Sequence, residues 1–283
     1  MKKTVSIILT AVMVLGLLPA GLLWNEGPKA YASTGEVVLV NDHFDDGMIP
    51  EGWSEKLETS TTWEPIGTTG QVSVADVEGN NCLQLELVDA KNQPHVRRTF
   101  TTAADDVIVS FAIRSSRNAV NIPILIKDSN ENVISRMYFG QNKRIFLVTG
   151  FDESGSPILE DALDTGLAKN TVYHIGFVIN TKNNTQSTII IHGNQTYTLK
   201  DKPLLAPADS VGALQVHQYY MYNNNGFIYL DDIRVEESAV NKMSLRLAVQ
   251  NAQKVLADAR VGTEIGFYPQ TAVDAFQAEI DLA

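Results

Sequence analysis

The sequence is poor in cysteine and in positive charge. Cys82 is the single cysteine, so the chain cannot form an intrachain disulfide. Lysine and arginine together number 22 against 33 aspartates and glutamates, and the formal net charge is −11. Because phosphate backbones are bound by clustered lysine and arginine, this acidic composition does not indicate a nucleic-acid partner.

Motifs of several enzyme classes are also missing. None of the five histidines forms a His-x-x-x-His pair of the kind that binds zinc. No serine lies in a Gly-x-Ser-x-Gly sequence, and no glycine-rich loop precedes a helix, so hydrolase-elbow and nucleotide-binding sites are not indicated. We interpret the isolated histidines as structural residues. The sequence therefore predicts no catalytic residue.

A charged start and a long apolar run open the chain. Lys2 and Lys3 precede residues 6–24, which contain no charged side chain. A more polar stretch then ends in Ala30-Tyr31-Ala32, the small-x-small pattern that signal peptidase accepts. We predict a signal peptide over residues 1–32 and a secreted protein, free or associated with the cell wall, that meets no membrane after cleavage. The alternative is an uncleaved membrane anchor, although a proline and a glycine interrupt the apolar run.

Side chains between residues 36 and 236 alternate with a period of two. Val107, Val109, Phe111 and Ile113 show the pattern, and runs rich in glycine, asparagine and aspartate separate such segments. Many short strands with hairpin spacing and no helical stretch between them are typical of an antiparallel sandwich. We predict an all-β jelly-roll module over residues 33–238.

The hydrophobic period changes near residue 239. Apolar residues recur three and four positions apart over residues 240–260, which predicts an amphipathic helix. Pro269 can open a second helix after two glycines. We assign residues 239–283 to a short α-helical hairpin from an incomplete helical module. Because two short helices leave an apolar stripe uncovered, we expect the natural polypeptide to continue or the gene product to be truncated.

Three short signatures carry a resemblance to known families. They are Asn41-Asp42-His43-Phe44-Asp45-Asp46-Gly47 with residues 49–53, Ile228-Tyr229-Leu230-Asp231-Asp232-Ile233-Arg234-Val235, and residues 257–273. The first two resemble the opening and closing strands of concanavalin/laminin-G-like and carbohydrate-binding jelly-roll modules of secreted polysaccharide-degrading enzymes. The third is similar to the FIVAR-like helical module of Gram-positive cell-surface and polysaccharide-lyase proteins.

The resemblance implies a module of a modular carbohydrate-active protein, with any catalytic domain outside this chain. We expect a non-catalytic module that binds polysaccharide or cell-wall glycan, at the N-terminal end of a secreted enzyme such as a polysaccharide lyase or glycoside hydrolase. One alternative is a structural or adhesive module of a bacterial cell-surface protein. Another is a stand-alone glycan-degrading enzyme.

Acidic pairs follow the opening aromatic residue and close the last strand. Asp45 and Asp231 begin these pairs, and by the resemblance they match acidic positions of the jelly-roll modules. If the first and last strands pair, the carboxylates lie close together, and oxygen ligands of this kind suit Ca²⁺. We predict that Asp45 and Asp231 hold a structural Ca²⁺; the alternative is a turn cap with solvated carboxylates. A glycosidase pair of carboxylates across a cleft is a weaker interpretation.

Aromatic and amide side chains cluster after one strand. Residues 218–225 contain three tyrosines and three asparagines, which suit stacking on a sugar ring and hydrogen bonding to its hydroxyls. The predicted ligand-binding residues are Tyr219, Tyr220, Tyr222, Asn223, Trp53 and Trp63. For the two tryptophans, the alternative is a large ring that caps the core. Arg97 and Arg98 are candidates for contact with a uronic-acid carboxylate, although a solvated strand edge is the commoner place for such a pair.

Overall fold

The computed structural model describes fifteen β-strands within residues 37–89, 92–117, 120–163, 166–193, 195–219, 226–237, 256 and 268–282. The strands are β1 (Val37–Asp42), β2 (Trp53–Leu57), β3 (Val72–Val77), β4 (Asn80–Leu87), β5 (Pro94–Thr99), β6 (Asp106–Ser115), β7 (Ile122–Lys127), β8 (Val133–Phe139), β9 (Ile145–Phe151), β10 (Pro157–Leu163), β11 (Val172–Asn180), β12 (Thr185–His192), β13 (Gln195–Pro203), β14 (Ala213–His217) and β15 (Gly226–Glu237). A 3-10 turn, Gln141–Lys143, connects β8 to β9.

The strands form two antiparallel sheets. The eight-stranded sheet has the order β13-β12-β11-β6-β15-β4-β3, with β1 paired to β15. The seven-stranded sheet has the order β10-β9-β8-β7-β14-β5-β2. Strands distant in sequence are neighbours in both sheets, as β14 is between β5 and β7. The predicted all-β antiparallel sandwich is confirmed.

Alternate residues of the strands form the core between the sheets. Val109 and Phe111 of β6 belong to the same buried cluster as Ile124 and Ile126 of β7. Each such side chain stabilises the fold by about 2 kcal/mol relative to an exposed position. Because successive side chains of a strand point to opposite faces, the residues between these core positions lie on the outer faces of the two sheets.

The first and last strands of the sandwich pair, as the resemblance implies. β1 runs antiparallel to β15, with Asp42 opposite Ile233. The buried carboxylate of Asp42 accepts hydrogen bonds from Nε1 of Trp53 and from Nε of Arg98, both at 2.7 Å. These contacts join β1 of one sheet to β2 and β5 of the other. They fix one end of the sandwich.

The C-terminal region contains one helix within the described residues. This helix, α1 (Gln270–Leu282), follows Pro269 directly, as the sequence predicts, and belongs to a different compact unit from the sandwich. The helix predicted over residues 240–260 lies almost wholly outside the described residues, and the signal peptide of residues 1–32 lies entirely outside them. The domain boundaries therefore stay predictions. In the part of the chain that the structure describes, no helix is long and apolar enough to span a bilayer.

Candidate functional site

The outer face of the seven-stranded sheet carries a concentration of polar side chains. Val96 of β5 and Val216 of β14 are completely buried in the core, so the residues on either side of them point outward. The same alternation places polar residues outward on β2, β7 and β8. We call this surface the polar face; its residues are Lys56, His95, Arg97, Asn121, Lys127, Arg136, Tyr138, Gln215, His217 and Tyr219.

Strand register arranges these side chains in rows across the sheet. His95 lies opposite both Lys56 of β2 and His217 of β14, which makes one row. In the next row, Arg97 lies opposite Gln215, and Leu125 of β7 then lies between Gln215 and Arg136 of β8. Tyr219 forms an isolated bridge with Asn121 beside the first row. Five strands therefore contribute to one continuous surface.

Two imidazoles and a phenol lie at the centre of the polar face. The ring centroids of His95 and His217 are 3.9 Å apart, and those of His217 and Tyr219 are 5.8 Å apart. Burial, and then the charge of Lys56, lowers the pKa of His95 to about 4. Burial, and then the charge that His95 carries when protonated together with the charge of Lys56, lowers the pKa of His217 to about 2. Both imidazoles are therefore neutral at neutral pH.

A chain of polar contacts orients His217. The amide nitrogen of Gln215 contacts Nε2 of His217, and Nδ1 lies 3.3 Å from Oη of Tyr219. A neutral imidazole has one donor and one acceptor nitrogen, so a proton donated by Gln215 leaves Nδ1–H to donate to the phenol. Burial, and then the charge of Glu58, raises the pKa of Tyr219. The phenol proton stays bound and can be donated to a ligand.

Several buried polar atoms on this face have no hydrogen-bond partner among the described residues. They are Nδ1 of His95, Nε of Arg97, Oδ1 of Asn121, Nε of Arg136 and Oε1 of Gln215. Most buried polar groups in folded proteins are paired, because an unpaired one costs about 1–3 kcal/mol. The five atoms lie on adjacent strands, and neighbouring side chains cover them, so a ligand contacts them only after a side-chain rearrangement.

Two carboxylates of the chain contact the polar face from its edges. Glu131, in the β7–β8 turn, accepts from Arg97 at 2.9 Å and from Lys127 at 3.0 Å. Oε2 of Glu58 lies 2.7 Å from Nε2 of His95. Both glutamates are substantially exposed, so these contacts can be exchanged for contacts with a ligand.

The structure locates three of the six predicted ligand-binding residues. Tyr219 lies on the polar face. Trp63 is half-buried at its edge, with the guanidinium carbon of Arg97 at 4.5 Å and Nζ of Lys56 at 5.4 Å from its ring centroid. Trp53 is 7% exposed and its indole donates to Asp42, which favours the alternative of a ring that caps the core. Tyr220, Tyr222 and Asn223 lie outside the described residues.

Sequence reasoning missed most of the polar face. The sequence interpretation makes His95 and His217 structural residues, and it gives no role to Gln215 or Arg136. A usable signal was present: in His95-Val96-Arg97 and Gln215-Val216-His217, a buried valine separates two polar residues. Arg97 does lie on the face, whereas Arg98 points to the other side and pairs with Asp42.

The predicted calcium residues lie at the end of the sandwich where β1 meets β15. We call this region the acidic end; it comprises Asp45, Asp231, Asp232, His43 and Asn80. Nδ2 of Asn80 donates to Asp231 at 2.6 Å, and His43 contacts Asp232 at 2.9 Å. Burial, together with the charges of Asp232 and Asp45, raises the pKa of Asp231 to about 6.

No group of three or more His, Cys, Asp or Glu side chains is arranged to hold a metal ion among the residues that the structure describes. Calcium can also take backbone and amide oxygens as ligands. Ca²⁺ binding by Asp45 and Asp231 therefore stays a prediction.

Comparisons with known proteins support the fold. No family model matches the chain, and no curated protein matches it. A sialidase superposes with a TM-score of 0.52 at 14% identity, covering 80% of this chain and 21% of the sialidase. The basic winged bean lectin solved with Tn-antigen has a TM-score of 0.44 at 9% identity, covering 72% of this chain and 99% of the lectin. The alginate lyase from Corynebacterium sp. has a TM-score of 0.44 at 9% identity, covering 70% of this chain and 99% of the lyase.

The likeness to the sialidase shows a shared sandwich fold. The chain spans about a fifth of the length of that protein. Because no family model matches, the FIVAR-like assignment of residues 239–283 stays a prediction.

Proposed function

We propose that this chain is a carbohydrate-binding module that acts outside the cell and binds a polysaccharide on the polar face. In this proposal the chain is an accessory part of a secreted carbohydrate-active protein. Similar folds host many unrelated functions, so the proposal depends on the chemistry of the site and not on the fold.

The observation that carries the proposal is the set of five unpartnered polar atoms around the His95, His217 and Tyr219 rings. A sugar hydroxyl both donates and accepts, so it pairs with either kind of atom. Nδ1 of His95 and Oε1 of Gln215 are two of these atoms, whereas both nitrogens of His217 already contact Gln215 and Tyr219. Tyr219 adds an aromatic surface with a polar tip, and Trp63 provides a second ring at the edge.

Two other features support a polymeric ligand. The rows of polar side chains cross several strands, and neighbouring strands lie about 4.8 Å apart. The face therefore extends over a length comparable to several sugar rings, and it is open to solvent at the Glu58 and Glu131 edges.

A glycan array tests the proposal with the full chain. We expect specific retention of one or a few polysaccharides, and we expect Tyr219→Ala to weaken it by about tenfold, because the variant loses the ring and the phenol. Tyr229→Ala is the matched control, since Tyr229 is a partly buried tyrosine on the outer face of the other sheet.

Three results would contradict the proposal. Retention unchanged in Tyr219→Ala would remove the polar face as the binding site. Binding only to proteins or to whole cells would favour a structural or adhesive module. The appearance of new reducing ends or unsaturated uronates would favour an enzyme.

A further inference from the structure

The positive charge of the polar face contrasts with the composition of the chain. The formal net charge is −11, yet Lys56, Arg97, Lys127 and Arg136 all lie on this one face. Such a local excess of cations in an acidic protein attracts an anionic ligand to this surface and repels it elsewhere.

Arg136 differs from most arginines of the sandwich. Five other arginines each pair with a carboxylate: Arg97 with Glu131, Arg98 with Asp42, Arg114 with Glu78, Arg144 with Asp161 and Arg234 with Glu236. Arg136 forms no ion pair with any described residue, and its Nε is buried without a hydrogen-bond partner. A guanidinium without an ion pair among the described residues is a site for a carboxylate or sulfate, which it can bind through two parallel hydrogen bonds.

Lys56 also has no carboxylate partner among the described residues. Its ammonium donates a long hydrogen bond, 3.4 Å, to the backbone oxygen of Ser60 and forms no ion pair within the described residues. Lys56 lies in the row of His95 and His217, and Arg136 lies in the adjacent row. The two unpaired cations therefore lie on opposite sides of the histidine pair.

Two glutamates of the chain already contact groups of this face from its edges. Glu131 bridges two of its cations, and Glu58 contacts His95. Each side chain approaches from a loop and is about half exposed, 52% for Glu131 and 44% for Glu58. A carboxylate on a bound polymer can take the same positions without a new arrangement of the strands.

We infer that the ligand of the polar face is an acidic polysaccharide whose carboxylates bind Arg136 and Lys56, while its hydroxyls pair with the amide, imidazole and phenol groups. This inference rests on the proposed function, because it names the ligand class of the same site. Arg136 then acts as the residue that selects acidic polymers over neutral ones.

The test compares matched polymers with the full chain. Polygalacturonate is compared with its carboxyl-reduced form in affinity electrophoresis, and dextran sulfate is the probe for sulfate. We expect polygalacturonate to bind at least about tenfold more tightly than the reduced polymer, with affinity that falls as salt is added. Arg136→Gln should reduce this preference, because Lys56 still provides a cation, and Arg136→Lys should restore part of it because the charge returns. Arg114→Gln, on the outer face of the other sheet, should leave binding unchanged.

The outcomes separate the inference from the proposed function. Equal binding of both polymers by the wild type would overturn the acidic ligand and leave carbohydrate binding intact. A preference that is undiminished in Arg136→Gln would overturn the role of Arg136. Binding of dextran sulfate but not of polygalacturonate would show that the face selects sulfate groups. That result would overturn the inference that the ligand binds through carboxylates. Failure to retain any polysaccharide would overturn both.

Discussion

The polar face and the acidic end both bury titratable groups, but they satisfy them differently. At the acidic end, Asp231 accepts from the side chain of Asn80 and from the backbone N–H of Asp232. On the polar face, His95, Arg136 and Gln215 retain buried polar atoms without partners among the described residues. A buried group whose hydrogen bonds are made inside the protein supports the fold, whereas one that lacks them costs about 1–3 kcal/mol of stability unless water or a ligand supplies a partner.

Burial also shifts the pKa values of the two regions in opposite directions. It disfavours the charged form in both, so it lowers the pKa values of the histidines and raises that of Asp231. The two regions therefore respond to acid with opposite sign, and this difference can be measured.

The largest expected effect is acid destabilisation from the polar face. The folded-state pKa values of His95 and His217, about 4 and about 2, lie below the ordinary 6.5. Below pH 6.5 the unfolded chain binds protons that the folded chain does not, so the free energy of unfolding falls by about 3 kcal/mol per histidine down to pH 4. Urea unfolding at a series of pH values measures this decrease. In His217→Gln, this decrease in the free energy of unfolding should be about half as large as in the wild type. An equal decrease in the two proteins would show that His217 is not a buried, neutral imidazole.

A smaller effect of the opposite sign is expected from the acidic end. The folded-state pKa of Asp231, about 6, lies above its ordinary 3.8. Between these values the folded chain retains a proton that the unfolded chain has released, so this group reduces stability by about 2 kcal/mol as the pH rises from 4 to 6. Because this window overlaps that of the histidines, the wild-type profile shows only the sum.

The Asp231→Asn variant separates the two contributions. Its free energy of unfolding should rise more steeply from pH 4 to pH 6 than that of the wild type, because the opposing contribution is gone. Equal slopes for the two proteins would show that Asp231 titrates normally.

The smallest expected effect concerns the calcium prediction. If Asp45 and Asp231 hold Ca²⁺, binding to the folded chain raises the melting temperature as Ca²⁺ is added, and a chelator reverses the shift. Asp45→Asn should reduce the response. Thermal melting curves that coincide with and without Ca²⁺ would refute the site and leave the acidic end as a structural contact between strands.

The sequence predicts the fold of this chain better than it predicts the residues of the candidate site. Period-two runs such as residues 107–113 predict strands because alternation is a local property of the chain. Tyr219 was predicted from the composition of its segment, and it lies on the face. His95 and His217 were not, because each is isolated in the sequence and becomes part of a site only where β5 and β14 pair. Trp53 shows the converse: its residue type suits sugar binding, but the pairing of β1 with β15 brings Asp42 to its indole.

The sequence by itself determined an acidic, disulfide-free chain built from strands that bury one face of each. The tertiary structure decided which of the remaining side chains meet. Alternation specifies only whether a side chain points toward the core or away from it, and it carries no information on which strand lies beside which. That order depends on packing between distant segments, and it places β2, β5, β14, β7 and β8 side by side. Two histidines, an amide and four cations spread along the chain form one surface for this reason.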